Sequence, residues 1–325
     1  MRVKHLRGAL LIPLVLVLGG CNMVLLNPSG YVARQQRDVM IITTIILASI
    51  IVPVLITIAV VAWRYRASNV KANYDPKWDH SPQIELLVWA WPLLIIIAVG
   101  AISWIGTHQL DPYRPLTHYA KDKPVPAGVK PLEVNVVSLE WKWLFFYPQY
   151  GIATVNELAA PVNRPIRFRL TSSTMMDSFF VPALAGQIYT MPGMQTQLHA
   201  VINKPGVYKG FSANYSGAGF TDMRFSFHGM TTQNFKQWVA KVRAQGSDLD
   251  RKSYDHLQQP TRADPVRYYA RFTPDLYSRI LNRCVDPGQM CMSQMGDMHQ
   301  MSDMSQMGDM NQIDHTKAAD DQSSH

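Results

Sequence analysis

The sequence predicts two transmembrane α-helices followed by an all-β, Greek-key extramembrane domain with a helical C-terminal extension. Three observations predict it. Two long uncharged apolar runs, residues 40–63 and 86–106, lie in the first third of the chain. From about residue 130 the pattern shortens to apolar and polar residues in alternation, broken by proline- and glycine-containing turns. Past residue 232, apolar side chains recur at helical spacing and aromatic residues become frequent.

Residues 1–20 read as a signal peptide. Arg2, Lys4 and Arg7 precede an apolar run from Ala9 to Leu18 that is too short to span a bilayer. Leu18-Gly-Gly-Cys21 has the form of a lipoprotein cleavage box, which makes Cys21 the lipid-carrying first residue of the mature chain. An unmodified Cys21 in an uncleaved anchor is the other reading. Residues 21–39 then form a short periplasmic segment. The run 40–63 holds 24 uncharged residues, which as a helix reach roughly 36 Å against a bilayer core of about 30 Å. Pro53 at its middle is tolerated in a membrane helix. The second span, 84–106, has similar reach, and Trp63, Trp89, Trp91 and Trp104 suit the aromatic belts at the two interfaces. The connection 64–83 carries Arg64, Arg66, Lys71 and Lys77 against Asp75 and Asp79, so the positive-inside rule makes it cytoplasmic. Residues 107–129 link the second span to the domain on the outer side.

Within 130–232, Ile166, Phe168 and Leu170 alternate with Arg167, Arg169 and Thr171, as half-buried strands do. Asn163-Arg-Pro165, Met191-Pro-Gly193 and Lys204-Pro-Gly206 separate such segments at intervals that suit a β-sandwich. Trp141 and Trp143, two residues apart, are expected on one face of a strand. In the extension, 233–288, residues 233–245 place Phe235, Trp238, Val239 and Val242 on one helical face. Residues 268–281 read as a second aromatic-rich, helix-prone segment, lying against the domain or a partner. The tail, 289–325, is of low complexity: Ser293-Gln-Met-Gly-Asp-Met298 recurs at 305–310. Thioethers favour Cu(I), so the tail reads either as a weak Cu(I) site or as a solvating tail. Cys284 and Cys291 either pair in an oxidising compartment or remain thiols beside the methionines.

The net charge of +8 is dispersed along the chain and accompanies no nucleic-acid motif, so no nucleic-acid partner is expected. Ser-His-Asp sets, phosphate loops and zinc spacings are missing, and His80, His108, His118, His199 and His228 are scattered. Glu85 at the head of the second span is the one acid at a membrane boundary there. Such a residue is either functional or an interfacial acid solvated at the surface.

The stretch Ser212-Ala-Asn-Tyr-Ser216-Gly-Ala-Gly-Phe220-Thr-Asp-Met223 carries the most chemical information. It resembles the Cys-x3-Cys-x3-His-x2-Met loop that holds the binuclear copper centre in subunit II of the haem-copper oxidases. Aligned on Gly217-Ala-Gly219, Ser212 and Ser216 stand where the cysteines belong and Phe220 where the histidine belongs; Met223 is in place. The upstream histidine position, before Ser178-Phe-Phe-Val-Pro182, is Asp177, and the backbone-carbonyl ligand falls at Asn214. Bridging two copper ions requires soft thiolates, which serine cannot replace. A carboxylate with one thioether suits no common ion, which leaves Asp177 a structural, hydrogen-bonding role. Glu140-Trp-Lys-Trp-Leu-Phe-Phe-Tyr-Pro148, Gln187 to Thr196 and the two-helix N-terminal half resemble the quinol-oxidising, bo-type branch of that family over nearly the whole chain.

The resemblance implies a cupredoxin-like domain that binds no metal, and no cofactor anywhere in this chain. It implies partner subunits I, III and IV, with two haems and one copper in subunit I. It implies electrons from ubiquinol in the membrane lipid and none from cytochrome c, in a bacterial inner membrane with the domain and a lipid-anchored N-terminus on the periplasmic side. In that family a glutamate at the position of Glu85 lies near the entrance of a proton pathway belonging mostly to subunit I. A membrane-anchored, copper-handling periplasmic lipoprotein using its methionine-rich tail is the alternative reading.

Overall fold

The computed structural model describes residues 23–73, 75–286 and 288–294. They form two compact units.

The first unit holds two long helices. α1 (Tyr31–Arg64) and α2 (Pro82–Gln109) are long and apolar enough to cross a membrane and are almost wholly unburied along their apolar windows. α1 begins well before the uncharged run and carries Arg34, Arg37 and Asp38 in its first turns. Its N-cap, Gly30, offers no capping side chain. A helix start leaves backbone N–H groups without intrahelical partners, and the segment Pro182–Gly186, which belongs to this unit, answers them. The N–H groups of Ser29 and Gly30 donate to the Ala183 carbonyl at 3.0 and 2.7 Å, and that of Ala33 to the Leu184 carbonyl at 3.3 Å. A Cβ on Gly30 would run into the Leu184 carbonyl, so only glycine permits this approach.

The second unit is a two-sheet sandwich. A small hairpin, β1 (His118–Ala120) and β2 (Lys123–Pro124), precedes it. The strands follow as β3 (Leu132–Leu139), β4 (Lys142–Tyr147), β5 (Ile152–Val155), β6 (Glu157–Pro161), β7 (Ile166–Ser172), β8 (Asp177–Phe180), β9 (Ile188–Thr190), β10 (Thr196–Ala200), β11 (Gly206–Ser212) and β12 (Arg224–Met230). The extension adds α3 (Thr232–Gln245), β13 (Ser247–Leu249), α4 (Arg251–Leu257), β14 (Arg267–Phe272) and α5 (Leu276–Leu281). One sheet runs β10-β7-β3-β4-β5-β14-β13 and the other β6-β12-β11-β8-β9. The inner layer is aromatic: Phe179 stacks on Phe225 at 5.3 Å, with Trp143, Phe145 and Phe168 packed around them.

α3 starts at an N-cap, Thr231, whose hydroxyl accepts from the Asn234 N–H, and it buries Phe235, Trp238, Val239 and Val242, the face expected from spacing. The expectation for 268–281 requires correction. Arg267–Phe272 is a strand, with Tyr269 opposite Ala153 across β5, and helix appears only at Leu276–Leu281. An open strand edge needs backbone partners, Tyr-Tyr-Ala-Arg-Phe favours the extended state, and Pro274 separates strand from helix. The extension lies on the sheet: Leu249, Tyr254, Leu257, Leu276 and Ile280 share a core with Val137, Leu144 and Phe146. Lys142 fastens it further, its buried ammonium donating to the carbonyls of Leu257 at 2.8 Å and Gln259 at 2.6 Å.

Candidate functional site

Strands β8 and β11 run side by side with Phe179 opposite Ser212, which brings Asp177 and the start of the Ser212–Met223 loop together. Asp177 begins β8 and is 2% exposed. Ser212 Oγ donates to Asp177 Oδ1 at 3.3 Å and lies 3.2 Å from the Asn214 carbonyl, the former backbone-ligand position. Behind it Thr190 Oγ1 donates to the Asp177 carbonyl at 3.3 Å and sits 2.9 Å from Ser138 Oγ. Burial pushes the Asp177 carboxyl above the ordinary carboxylate range; the hydroxyls of Ser216, Ser138 and Ser212 draw it partly back, and the nearby Glu140 charge adds a small push upward. Ser216 Oγ, also buried, faces this carboxyl without meeting strict hydrogen-bond geometry. The Asn214 amide turns away from the site and donates to the Met176 carbonyl at 3.2 Å.

The other half of the loop is apolar. Met223 is fully buried, and Phe220 opens a short 3-10 turn, Phe220–Asp222, with its ring 5.7 Å from that of Tyr215. Trp141 corrects a sequence expectation: it does not share a strand face with Trp143. It sits in the β3–β4 turn at φ 64°, while Trp143 is fully buried in β4. The extra turn residue breaks the period of two, which sends the Trp141 indole over the loop. There its Nε1 donates to the Ser216 carbonyl at 2.8 Å, and the ring covers Gly217 and Gly219. A Cβ on Gly219 would collide with the indole, so the glycine spacing now serves a ring.

The donor set does not fit a binuclear copper centre. It offers hydroxyls, one carboxyl and one thioether where two bridging thiolates and two imidazoles are needed. Among the described residues no group of three or more histidine, cysteine, aspartate or glutamate side chains is placed to hold a metal ion. What the arrangement does chemically is hydrogen bonding: the position of the metal holds a buried carboxyl among hydroxyls. Ser138 and Thr190 escaped sequence reasoning. The signal for the first was a small polar residue in the otherwise apolar end of Leu132–Leu139; nothing marked the second.

The remaining predicted positions lie elsewhere. Glu85 sits in the first turn of α2, where its Oε1 accepts from the Ser81 N–H at 3.2 Å and lies 3.7 Å from His80 Nδ1; its side chain is 55% exposed. It therefore caps its own helix. Cys284 and Cys291 are bonded to each other, with Cα atoms 4.9 Å apart. Cys21 and the tail beyond residue 294 lie outside the described residues.

Two family models match the chain: the periplasmic domain of cytochrome c oxidase subunit II over residues 148–229, and the aromatic-rich motif of such oxidases over 243–288. The chain is 45% identical to the cytochrome bo(3) ubiquinol oxidase subunit 2 of Pseudomonas putida, over 87% of each chain. It is 46% identical to the subunit of the same name in Pseudomonas aeruginosa, over 82% of this chain and 78% of that one. Against the ubiquinol oxidase subunit 2 of Acetobacter aceti it is 43% identical, over 86% of this chain and 88% of that one.

Proposed function

The chain belongs to the ubiquinol oxidase subunit 2 family of the haem-copper oxidases, and from that membership we propose that it serves a proton-translocating terminal quinol oxidase without carrying an electron itself. The observation that carries this reading is the replacement of soft ligands by Asp177, Ser212, Ser216 and Phe220 inside a scaffold that still brings the two halves of the site together. An electron entering from a soluble cytochrome would find no relay here. A donor dissolved in the membrane needs none, because it reaches subunit I directly. The part left to this chain is assembly and cover: two helices for the catalytic subunit to pack on, and a rigid domain outside. A free-standing copper-handling lipoprotein has no comparable support, since the matches cover most of the chain with oxidase subunits.

In this reading subunit I holds two haems and one copper, and subunits III and IV complete the complex in the bacterial inner membrane. The loop after α1 faces the cytoplasm, as its excess of Arg and Lys favours. The N-terminus is lipidated at Cys21 on the periplasmic side, where an oxidising compartment also allows Cys284 and Cys291 to pair. Glu85, exposed at the cytoplasmic end of α2, is positioned to collect protons for the pathway in subunit I, in addition to capping its helix. The test is the purified complex. Oxygen uptake driven by ubiquinol, no activity with reduced cytochrome c, and one copper per two haems are expected. Copper bound by the β domain, or oxidation of cytochrome c, would overturn the reading.

A further inference from the structure

The extension packs on the part of the β10-β7-β3-β4-β5-β14-β13 sheet that presents Val137, Leu144 and Phe146. Beside it, on β3, β7 and β10, the same face is polar. Strand register sets the order of its members: Arg167 stands between Glu133 and His199, and Arg169 between Asn135 and Gln197. We propose that Arg167 and Arg169 form the floor of an oxyanion site, which takes one carboxylate or phosphate group on the two guanidinium ions.

Directly paired residues share a face of a sheet, and residues two apart on one strand do the same. Arg167 and Arg169 therefore lie side by side on β7, with Cα atoms roughly 7 Å apart. Like charges so placed repel. The acid nearest them is Glu133, whose Oε1 is 3.6 Å from Arg167 Nη1 and 3.8 Å from Arg169 Nη2, too far for a hydrogen bond to either. Among the described residues neither guanidinium donates a hydrogen bond, and the Nε atom of each is buried without a partner. An arginine that is merely solvated keeps its head group in water. These two side chains are only 28% and 33% exposed. They are held half-buried on a sheet face with one carboxylate between them, which leaves one positive charge unmatched.

Two more polar side chains are buried beside the pair. Asn135 and His199 are each 8% exposed, and neither side chain forms a hydrogen bond among the described residues. Buried polar groups are rarely left so. Burial lowers the pKa of His199, so at neutral pH its ring is uncharged and has one N–H to donate. The Asn135 amide is bonded at neither end and is free to turn its NH2 group outward. Tyr277 of α5 bounds the site on the side of the extension: its hydroxyl donates to Gln195 Oε1 at 3.3 Å, and the Arg169 charge acts on it. What the cluster lacks is acceptors, and an oxyanion brings them together with the missing negative charge. Guanidinium forks match the geometry of carboxylate and phosphate oxygens, which selects these over a spherical anion such as chloride.

The site does not depend on the oxidase reading, and its test reads binding. The full-length chain in detergent is titrated with inorganic phosphate in a calorimeter at fixed ionic strength, with chloride as the control. Saturable uptake of phosphate is expected. Arg169→Gln should weaken it by about tenfold or more. Glu133→Gln, which removes the competing carboxylate, should tighten it by about two- to fivefold. The two shifts have opposite signs, so a loss of folding cannot produce both. The same titration of the assembled complex separates the sources of the oxyanion. Uptake that persists there marks a site for free phosphate; uptake seen in the isolated chain and blocked in the complex marks a carboxylate of a partner subunit seated on the two arginines. Either result supports the site. Uptake by the isolated chain no greater than the chloride control, or one affinity shared by the wild type and both variants, would overturn the proposal.

Discussion

The buried carboxyl of Asp177 has a measurable signature in the pH dependence of stability. It is held above the ordinary carboxylate range chiefly by burial. Between about 3.8 and the raised folded value, the folded protein therefore binds one proton more than the unfolded chain. Stability from this group is fully present below the unfolded value, falls by about 1.4 kcal/mol per pH unit as pH rises through the window, and levels off above it. Replacing Asp177 by Asn keeps Oδ1 as acceptor for Ser212 and removes the titration. The variant should be within about 1 kcal/mol of the wild type near pH 3 and progressively more stable than it toward neutral pH. The assay is urea unfolding of the full chain in detergent at a series of pH values, followed by tryptophan fluorescence, to which the buried Trp143 contributes with the chain's other tryptophans. Only the difference between the two proteins is used, so the other carboxylates cancel. A difference that is flat with pH, or that favours the wild type more as pH rises, would refute the argument that desolvation governs this carboxyl.

Trp141→Phe keeps a ring over Gly217 and Gly219 but removes the donor to the Ser216 carbonyl; it should lower stability by about 1 kcal/mol, read by the same unfolding assay. Lys142→Met leaves the Leu257 and Gln259 carbonyls without their charged donor, a loss of roughly 1.5–3 kcal/mol. Hydrogen exchange should show faster opening of Arg251–Leu257 while β8 and β11 keep their protection. Glu85→Gln keeps an acceptor for the Ser81 N–H and removes the titratable carboxyl; under the proposed proton-collecting role, ubiquinol oxidation by the complex should slow. Unchanged turnover and proton uptake would leave Glu85 a helix cap alone.

The two helices and the strands were legible because both rest on short-range periodicity: uncharged runs longer than a bilayer, and alternation over Ile166–Ser172. α3 was legible to the residue, since Phe235, Trp238, Val239 and Val242 form one helical stripe. Arg267–Phe272 was not, because its state is decided by a partner, the open edge of β5, more than a hundred residues earlier in the chain. Trp141 failed for a local reason: one residue with positive φ in a turn reverses the side on which a neighbour points. Of the site, the residue types Asp177, Ser212, Ser216 and Phe220 were legible directly. The hydroxyl network around Asp177 was not, because Thr190 reaches it through the β8–β9 pairing and Ser138 comes from β3 of the other sheet.

That network satisfies the buried polar groups at the position where the resembling loop binds metal. Removing a bridging centre from between two loops would leave buried backbone and side-chain groups with nothing to satisfy, which is destabilising wherever water cannot enter. Here the polar half of the gap is closed by hydroxyls around a carboxyl whose pKa burial raises and the hydroxyls draw partly back. The other half holds the fully buried Met223, with Trp141 laid over the two glycines. The loop is held by Ser212 on β11 against Asp177 on β8, and by the Trp141 indole on the Ser216 carbonyl.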